Sequence, residues 1–137
     1  MSTKRISIAE RVSKERTLQD VEPIVYTVDA KGRALGRVAS EAASALLGKK
    51  SPHFVKNLVL PVTVTITNAS KLTIGEKKLA QKEYVHYTGY PGGLRTTTLS
   101  ALKKKKGIEE VIVRAVSGML PKNKLHKERM KRLSIEA

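Results

Sequence analysis

The chain has 137 residues and a net charge of +15, from 27 Lys and Arg against 12 Asp and Glu, with no cysteine and only five aromatic side chains (Tyr26, Phe54, Tyr84, Tyr87, Tyr90). That length fits one domain able to bury roughly two-thirds of its unfolded surface, and the missing cysteine excludes a disulfide framework and any thiolate metal site. Positive charge at this density calls for a polyanionic partner, while the scarcity of aromatics argues against extensive base stacking.

Residues 1–22 hold five basic and four acidic side chains with little sustained periodicity. They read as an N-terminal extension, with a short helix expected around Ile8 to Leu18 and order supplied by a partner. The start of the chain lacks the apolar stretch of a signal peptide, and no apolar run approaches the ~20 residues of a membrane span, so a cytoplasmic protein is expected. The domain proper is expected over 23–137.

Ile24-Val25-Tyr26-Thr27-Val28 is β-branched and aromatic and ends at Asp29-Ala30-Lys31-Gly32, a strand followed by a turn. From Leu35, apolar residues at 35, 38, 39, 42, 45 and 46 follow helical spacing, and Gly48 stands where a C′ glycine ends a helix. Val62-Thr63-Val64-Thr65-Ile66-Thr67 alternates strictly, a strand signature, and Asn68 to Lys71 turns the chain into Leu72 to Gly75. Glu83 to Tyr87 reads as another strand, running into the loop Thr88-Gly89-Tyr90-Pro91-Gly92-Gly93-Leu94-Arg95. Three glycines let that loop's backbone approach a partner closely.

Thr98 is placed to cap a short helix over Leu99 to Lys104, which Gly107 breaks. A second helix is predicted from Ile108 to Ser117, with Glu109 and Glu110 in its first turn and Gly118 as its stop. The run from Gly118 to Leu133 carries six Lys and Arg against one Glu, with apolar residues at 119, 120, 125, 130 and 133 to anchor it and the cations expected to project outward. Such a surface binds dense phosphate through counterion release, without reading sequence. Leu133-Ser134-Ile135 closes the chain as a short strand. Strands alternating with helices argue for an α/β protein with a mostly parallel sheet.

No catalytic constellation emerges. Between Gly32 and Gly36 stand three residues where a P-loop needs four, and Arg37-Val38 follows in place of Lys-Ser/Thr. His53, His86 and His126 are dispersed without metal-ligand spacing, and neither a nucleophile elbow nor a zincin motif is present. No cofactor, metal or small-molecule substrate is expected. The Lys103 to Lys106 run reads as a solvated face. Charge alone also admits a general DNA-binding or nucleoid protein, and membrane-surface attachment through the basic tail.

The blocks Asp29 to Ser40, Leu47-Gly48-Lys49, Thr67 to Lys71, Tyr84 to Gly93 and Ala115-Val116-Ser117-Gly118-Met119-Leu120-Pro121-Lys122-Asn123, in this order over about residues 24 to 135, resemble the bacterial L-thirteen family of large-ribosomal-subunit proteins. The resemblance implies a three-layer α/β/α sandwich with a four-stranded, mainly parallel sheet. It implies a non-enzymatic role too: binding large-subunit ribosomal RNA early in assembly and remaining there beside neighbouring ribosomal proteins, with no membrane partner. By position, it assigns RNA contact to Arg33, Arg37, Lys49 and Lys50; to His86, Thr88, Gly89, Tyr90, Gly92, Gly93 and Arg95; and to Lys122, Lys124, Lys127, Arg129, Lys131 and Arg132. Reversing Arg129 and Arg132 to Glu is accordingly expected to weaken RNA binding with little loss of folding.

The chain departs from the family pattern at three internal places and at its two ends. Lys56 to Pro61 is apolar where the family carries a Gly-Asp stretch, and Tyr87 stands in for a second His. His126-Lys127 replaces Gly-Arg, keeping charge but losing the bidentate Arg fork. The N-terminal extension, and an end at Ala137 short of the family's longer tail, complete the set.

Overall fold

The structure, a computed structural model, describes residues 23–52 and 54–136. The expected helix at 8–18 and the side chain of His53 lie outside them.

The protein is a mixed α/β fold built on a three-stranded parallel sheet. Strand β1 (Ile24–Asp29) pairs with β2 (Val62–Thr67) over their whole lengths, from Ile24 opposite Val62 to Asp29 opposite Thr67. Parallel neighbours need a long crossover, and here it carries helix α1 (Leu35–Leu46). The last strand, β5 (Leu133–Ile135), adds to the other side of β2, giving the order β1-β2-β5. Strict alternation makes β2 the centre of the core: Val62, Val64 and Ile66 are all buried, each worth roughly 1.5–3 kcal/mol against exposure. Helix α1 packs on β1 and β2 through Leu35, Val38, Ala39, Ala42, Ala43, Ala45 and Leu46. On the alternate side chains of β1, Val25 remains 65% exposed.

The sheet therefore holds three parallel strands where four are expected. The missing one is β3 (Glu83–Tyr87), which forms but pairs antiparallel with β4 (Leu94–Thr98) in a separate hairpin. Strand β4 and the short helix α2 (Glu76–Gln81) stand where the sequence pattern gave no element. After η1, a 3₁₀ turn over Ala69–Lys71, α2 leads into the hairpin.

Helix α3 (Leu99–Met119) comprises the two predicted helices in succession, separated by a kink at Gly107 as expected. Thr98 caps it as expected, its Oγ1 accepting from the Ala101 amide at 3.3 Å. Gly107 marks the junction with φ 83° and ψ −179°, a conformation essentially closed to other residues, so the helical axis breaks there and restarts at Ile108. Gly118 does not stop the helix, which runs to Met119 and ends at Leu120. Pro121 sets that end, because the residue before a proline is pushed out of the helical region, and Leu120 lies at φ −84°, ψ 145°.

Gly48 does end α1. Its amide donates to Ala45 O at 2.8 Å and the Lys49 amide to Ser44 O at 3.1 Å, the paired bonds of a Schellman motif around a residue at φ 79°. A Cβ there would also come within 2.6 Å of Leu60 Cδ1, so both backbone and space require glycine.

Candidate nucleic-acid interface

The C-terminal basic segment is built as a clamp. Leu120 is buried and Met130 packs against the core, so the run between them is held at both ends. Between them lie a turn, in which the His126 amide donates to Asn123 O at 3.1 Å, and the short helix α4 (His126–Met130). The ring of His126 sits with Nε2 3.2 Å from Ser117 Oγ and 3.3 Å from Ser117 O, tying α4 to the end of α3; a glycine at this position has no such link. Lys122, Lys124, Lys127 and Lys131 are exposed.

The two arginines of the segment do not project outward. Arg129 is 2% exposed, with Nη2 directed at Lys56 O (3.5 Å) and Leu58 O (3.4 Å). Arg132 Nη1 donates to Leu60 O at 2.6 Å. Among the described residues no carboxylate pairs with Arg129, and its Nε is buried without a partner. The guanidinium fork, a planar set of donors, thus pins the 56–60 stretch to the basic segment. Reversing both charges would place a carboxylate against backbone carbonyls in a buried site, so the expected small effect on folding does not hold. Met119, expected in the core, is 43% exposed, and its sulfur accepts from Ser40 Oγ at 3.4 Å.

A second cationic group lines α1. Arg33 Nη2 donates to Glu41 Oε2 at 2.7 Å, and Lys50 Nζ donates to Glu41 Oε1 at 3.2 Å, so one carboxylate joins cations from before and after the helix. Arg33 Nη1 also reaches Asp29 O at 3.3 Å, and Lys50 Nζ lies 5.4 Å from the Tyr26 ring centroid. The hydrogen bond from Arg33, then that from Lys50, holds the Glu41 carboxyl below the ordinary glutamate range. Asp29 is lowered too, chiefly by the Lys31 amide and then by the Asn68 side chain, both donating to Oδ1 at 3.0 Å. Arg37 and Lys49 are exposed and have no ion pair among the described residues.

The hairpin forms the third group. His86 sits opposite Arg95 in the register, and Thr88, Gly89, Tyr90 and Gly92 are exposed around a turn closed by Thr88 N to Gly93 O (3.2 Å) and Gly93 N to Tyr90 O (2.9 Å). Gly93 is half-buried. Val85, Tyr87, Tyr90 and Leu94 stand between 57% and 75% exposed. The hairpin is anchored at its base: the Leu99 amide donates to Lys82 O at 2.8 Å, and the Tyr84 ring lies 5.1 Å from the Arg114 guanidinium, whose Nε is held by Glu110 at 3.0 Å. Burial raises the Tyr84 hydroxyl's pKa, with the nearby Arg114 charge opposing.

Two of these groups converge. Leu60, whose carbonyl takes Arg132, lies against Gly48, immediately before Lys49 and Lys50. No hydrogen bond or ion pair among the described residues joins the hairpin turn to the C-terminal segment. Glu41, the carboxylate linking Arg33 to Lys50, escapes sequence reading because its partners lie eight and nine residues away, outside helical neighbour spacing. Among the described residues no three His, Cys, Asp or Glu are grouped to hold a metal ion, and no helix is long and apolar enough to cross a membrane.

Fold and site together define a basic α/β protein presenting lysines and arginines from a clamped tail, a helix flank and a hairpin. Comparison with known sequences makes this specific. The profile of the ribosomal protein L13 family matches residues 24–135, and the chain belongs to that family. It is 39% identical to the large ribosomal subunit protein uL13 of Geobacter sulfurreducens over 137 residues, covering all of this chain and 89% of that protein. It is 47% identical to the protein of that name from Clostridioides difficile over 118 residues, covering 86% of this chain and 82% of that one. With the Persephonella marina uL13 it shares 45% identity over 116 residues, 85% of this chain and 77% of the other. The Geobacter match includes residues 1–22, so the N-terminal extension is shared with that relative.

Proposed function

We propose that the chain is a non-enzymatic structural constituent of the large ribosomal subunit, working in the cytoplasm, that binds large-subunit ribosomal RNA and supports subunit assembly. Family membership supplies the setting. The observation that carries the mechanism is the clamp: Arg129 and Arg132 turn inward to backbone carbonyls, which fixes the segment bearing Lys122, Lys124, Lys127 and Lys131 before any RNA arrives. Preordered cations lose less conformational freedom on binding, and phosphate contacts set position rather than sequence. Arg33, Arg37, Lys49 and Lys50 extend the surface along α1. His86, Thr88, Gly89, Tyr90, Gly92, Gly93 and Arg95 add a hairpin suited to the shape and 2′-hydroxyls of folded RNA. Arg129 and Arg132 act in this reading by holding the lysines in place. The domain over 23–137 works as one unit, with ribosomal RNA and adjacent subunit proteins as its partners.

The test is binding across a salt series to large-subunit ribosomal RNA, to duplex DNA and to an unrelated structured RNA of equal length. A preference for the ribosomal RNA that persists as salt rises is expected. Equal affinities that collapse together would reduce the protein to a general polyanion binder.

A further inference from the structure

A carboxylate in the middle of a phosphate-binding surface opposes the anion that surface is to hold. Glu41 is such a group, between Arg33 (2.7 Å) and Lys50 (3.2 Å). Its presence has two physical readings with opposite signs. As a neutralising charge it lowers the local potential and weakens phosphate binding. As a brace it fixes two of the most rotamer-rich side chains, each of which otherwise loses freedom when it closes on a ligand.

The geometry favours the brace. Both carboxylate oxygens are used, one by each cation, so a single side chain sets the spacing between a guanidinium from the β1–α1 turn and an ammonium from beyond the C-terminal end of α1. Each cation has a second restraint on its other side: Arg33 Nη1 on Asp29 O at 3.3 Å, and Lys50 over Tyr26 at 5.4 Å. Neither is exhausted as a donor. A guanidinium has five N–H groups and an ammonium three, and the bonds to Glu41, Asp29 and Tyr26 leave hydrogens on both. The Arg33 and Lys50 side chains are 41% and 38% exposed, which leaves both heads accessible from solvent. The trio keeps a net charge of +1, with Arg37 and Lys49 nearby and outside any ion pair among the described residues.

We propose that Glu41 is a positioning residue of the RNA-binding surface: it holds Arg33 and Lys50 as a preset pair of donors for RNA phosphate. This rests on the reading that Arg33 and Lys50 meet RNA, and the experiment separates the two. Affinity for large-subunit ribosomal RNA is measured at fixed salt for the full-length protein and for Glu41→Gln, Arg33→Ala/Lys50→Ala and the triple variant, with thermal melting checking that each is folded. Glu41→Gln keeps the shape and raises the net charge from +15 to +16 by removing one negative charge.

The brace predicts that Glu41→Gln binds about threefold to tenfold more weakly despite its added charge, and that this loss vanishes when Arg33 and Lys50 are already alanine. Tighter binding by Glu41→Gln, with Arg33→Ala/Lys50→Ala weaker, would leave those cations on RNA and overturn the positioning role. Unchanged affinity in Arg33→Ala/Lys50→Ala would remove this flank of α1 from the interface, and the inference with it. A destabilised Glu41→Gln is replaced by Glu41→Asp, whose shorter reach keeps the charge but cannot span both partners, and the same loss of affinity is expected.

Discussion

The C-terminal basic segment and the β3–β4 hairpin make opposite use of similar amounts of chain. The segment is short of regular structure yet tied down: Leu120 and Arg129 are buried, His126 is bonded to α3, and Arg132 is bonded to Leu60 O. The hairpin has regular pairing along five residue pairs yet exposes most of its side chains, with Tyr84 its one residue packed against the core. Hydrogen-bonded regularity and rigidity are therefore different properties here. A lone two-stranded hairpin is marginal in water, whereas a clamped irregular segment borrows the stability of the core. The segment is thus fixed by the core itself, whereas the hairpin leaves most of its side chains in solvent.

The change that would most disturb this contrast is Arg129→Ala, which empties a fully buried site and frees the 56–60 carbonyls. A loss of about 3 kcal/mol in urea unfolding is expected, with the segment becoming as open to amide exchange as the hairpin. Arg129→Met refills the space but cannot donate, so it separates packing from clamping. Stability is expected to hold within about 1 kcal/mol, while amides at 56–60 exchange faster. Gly48→Ala attacks the same clamp from the Leu60 side. A left-handed residue with a Cβ pressed on Leu60 is expected to cost about 2 kcal/mol by thermal melting.

Tyr84→Ala tests the other member. It removes the ring between Lys82 and Arg114, at 5.7 Å and 5.1 Å, and is expected to cost about 1 kcal/mol overall. Exchange should accelerate across 83–98 while the amides of β2 keep their protection. The smallest effect belongs to Glu41→Gln: about 0.5 kcal/mol, as for other exposed pairs. Because the folded-state pKa of Glu41 lies below its ordinary value, its contribution is complete above the ordinary glutamate range and disappears as pH falls through the folded value. Melting of the wild type and of Glu41→Gln should thus differ at pH 7 and converge in acid.

What the sequence made legible follows from where local rules decide. The alternation of Val62 to Thr67 and the glycine at 48 each have one strong local explanation, and both stand as expected. Strand β4 was illegible because Leu-Arg-Thr-Thr-Thr has no apolar alternation to report: both its faces are open, and pairing with β3 alone creates it. Helix α2 is too short for a period to show. The stop signal at Gly118 lost to Pro121, which acts more sharply on the preceding residue. Arg129 was read as a surface cation because arginine is rarely buried. Its inward turn depends on carbonyls 71 and 73 residues earlier in the chain, which no local pattern records.

The strand order carries a consequence for how the chain is made. Among the described elements β5 comes last in chain order, yet it fills the place beside β2, and Arg132 closes on a carbonyl 72 residues upstream. During translation β1, α1 and β2 emerge with one long edge of β2 unpaired, and the core stays unsealed until Leu133 to Ile135 arrive. Non-local closure of this kind is slow, and open strand edges invite misassociation. Vectorial synthesis thus delivers first a highly basic, half-built sheet and only some 65 residues after β2 the strand and arginine that lock it.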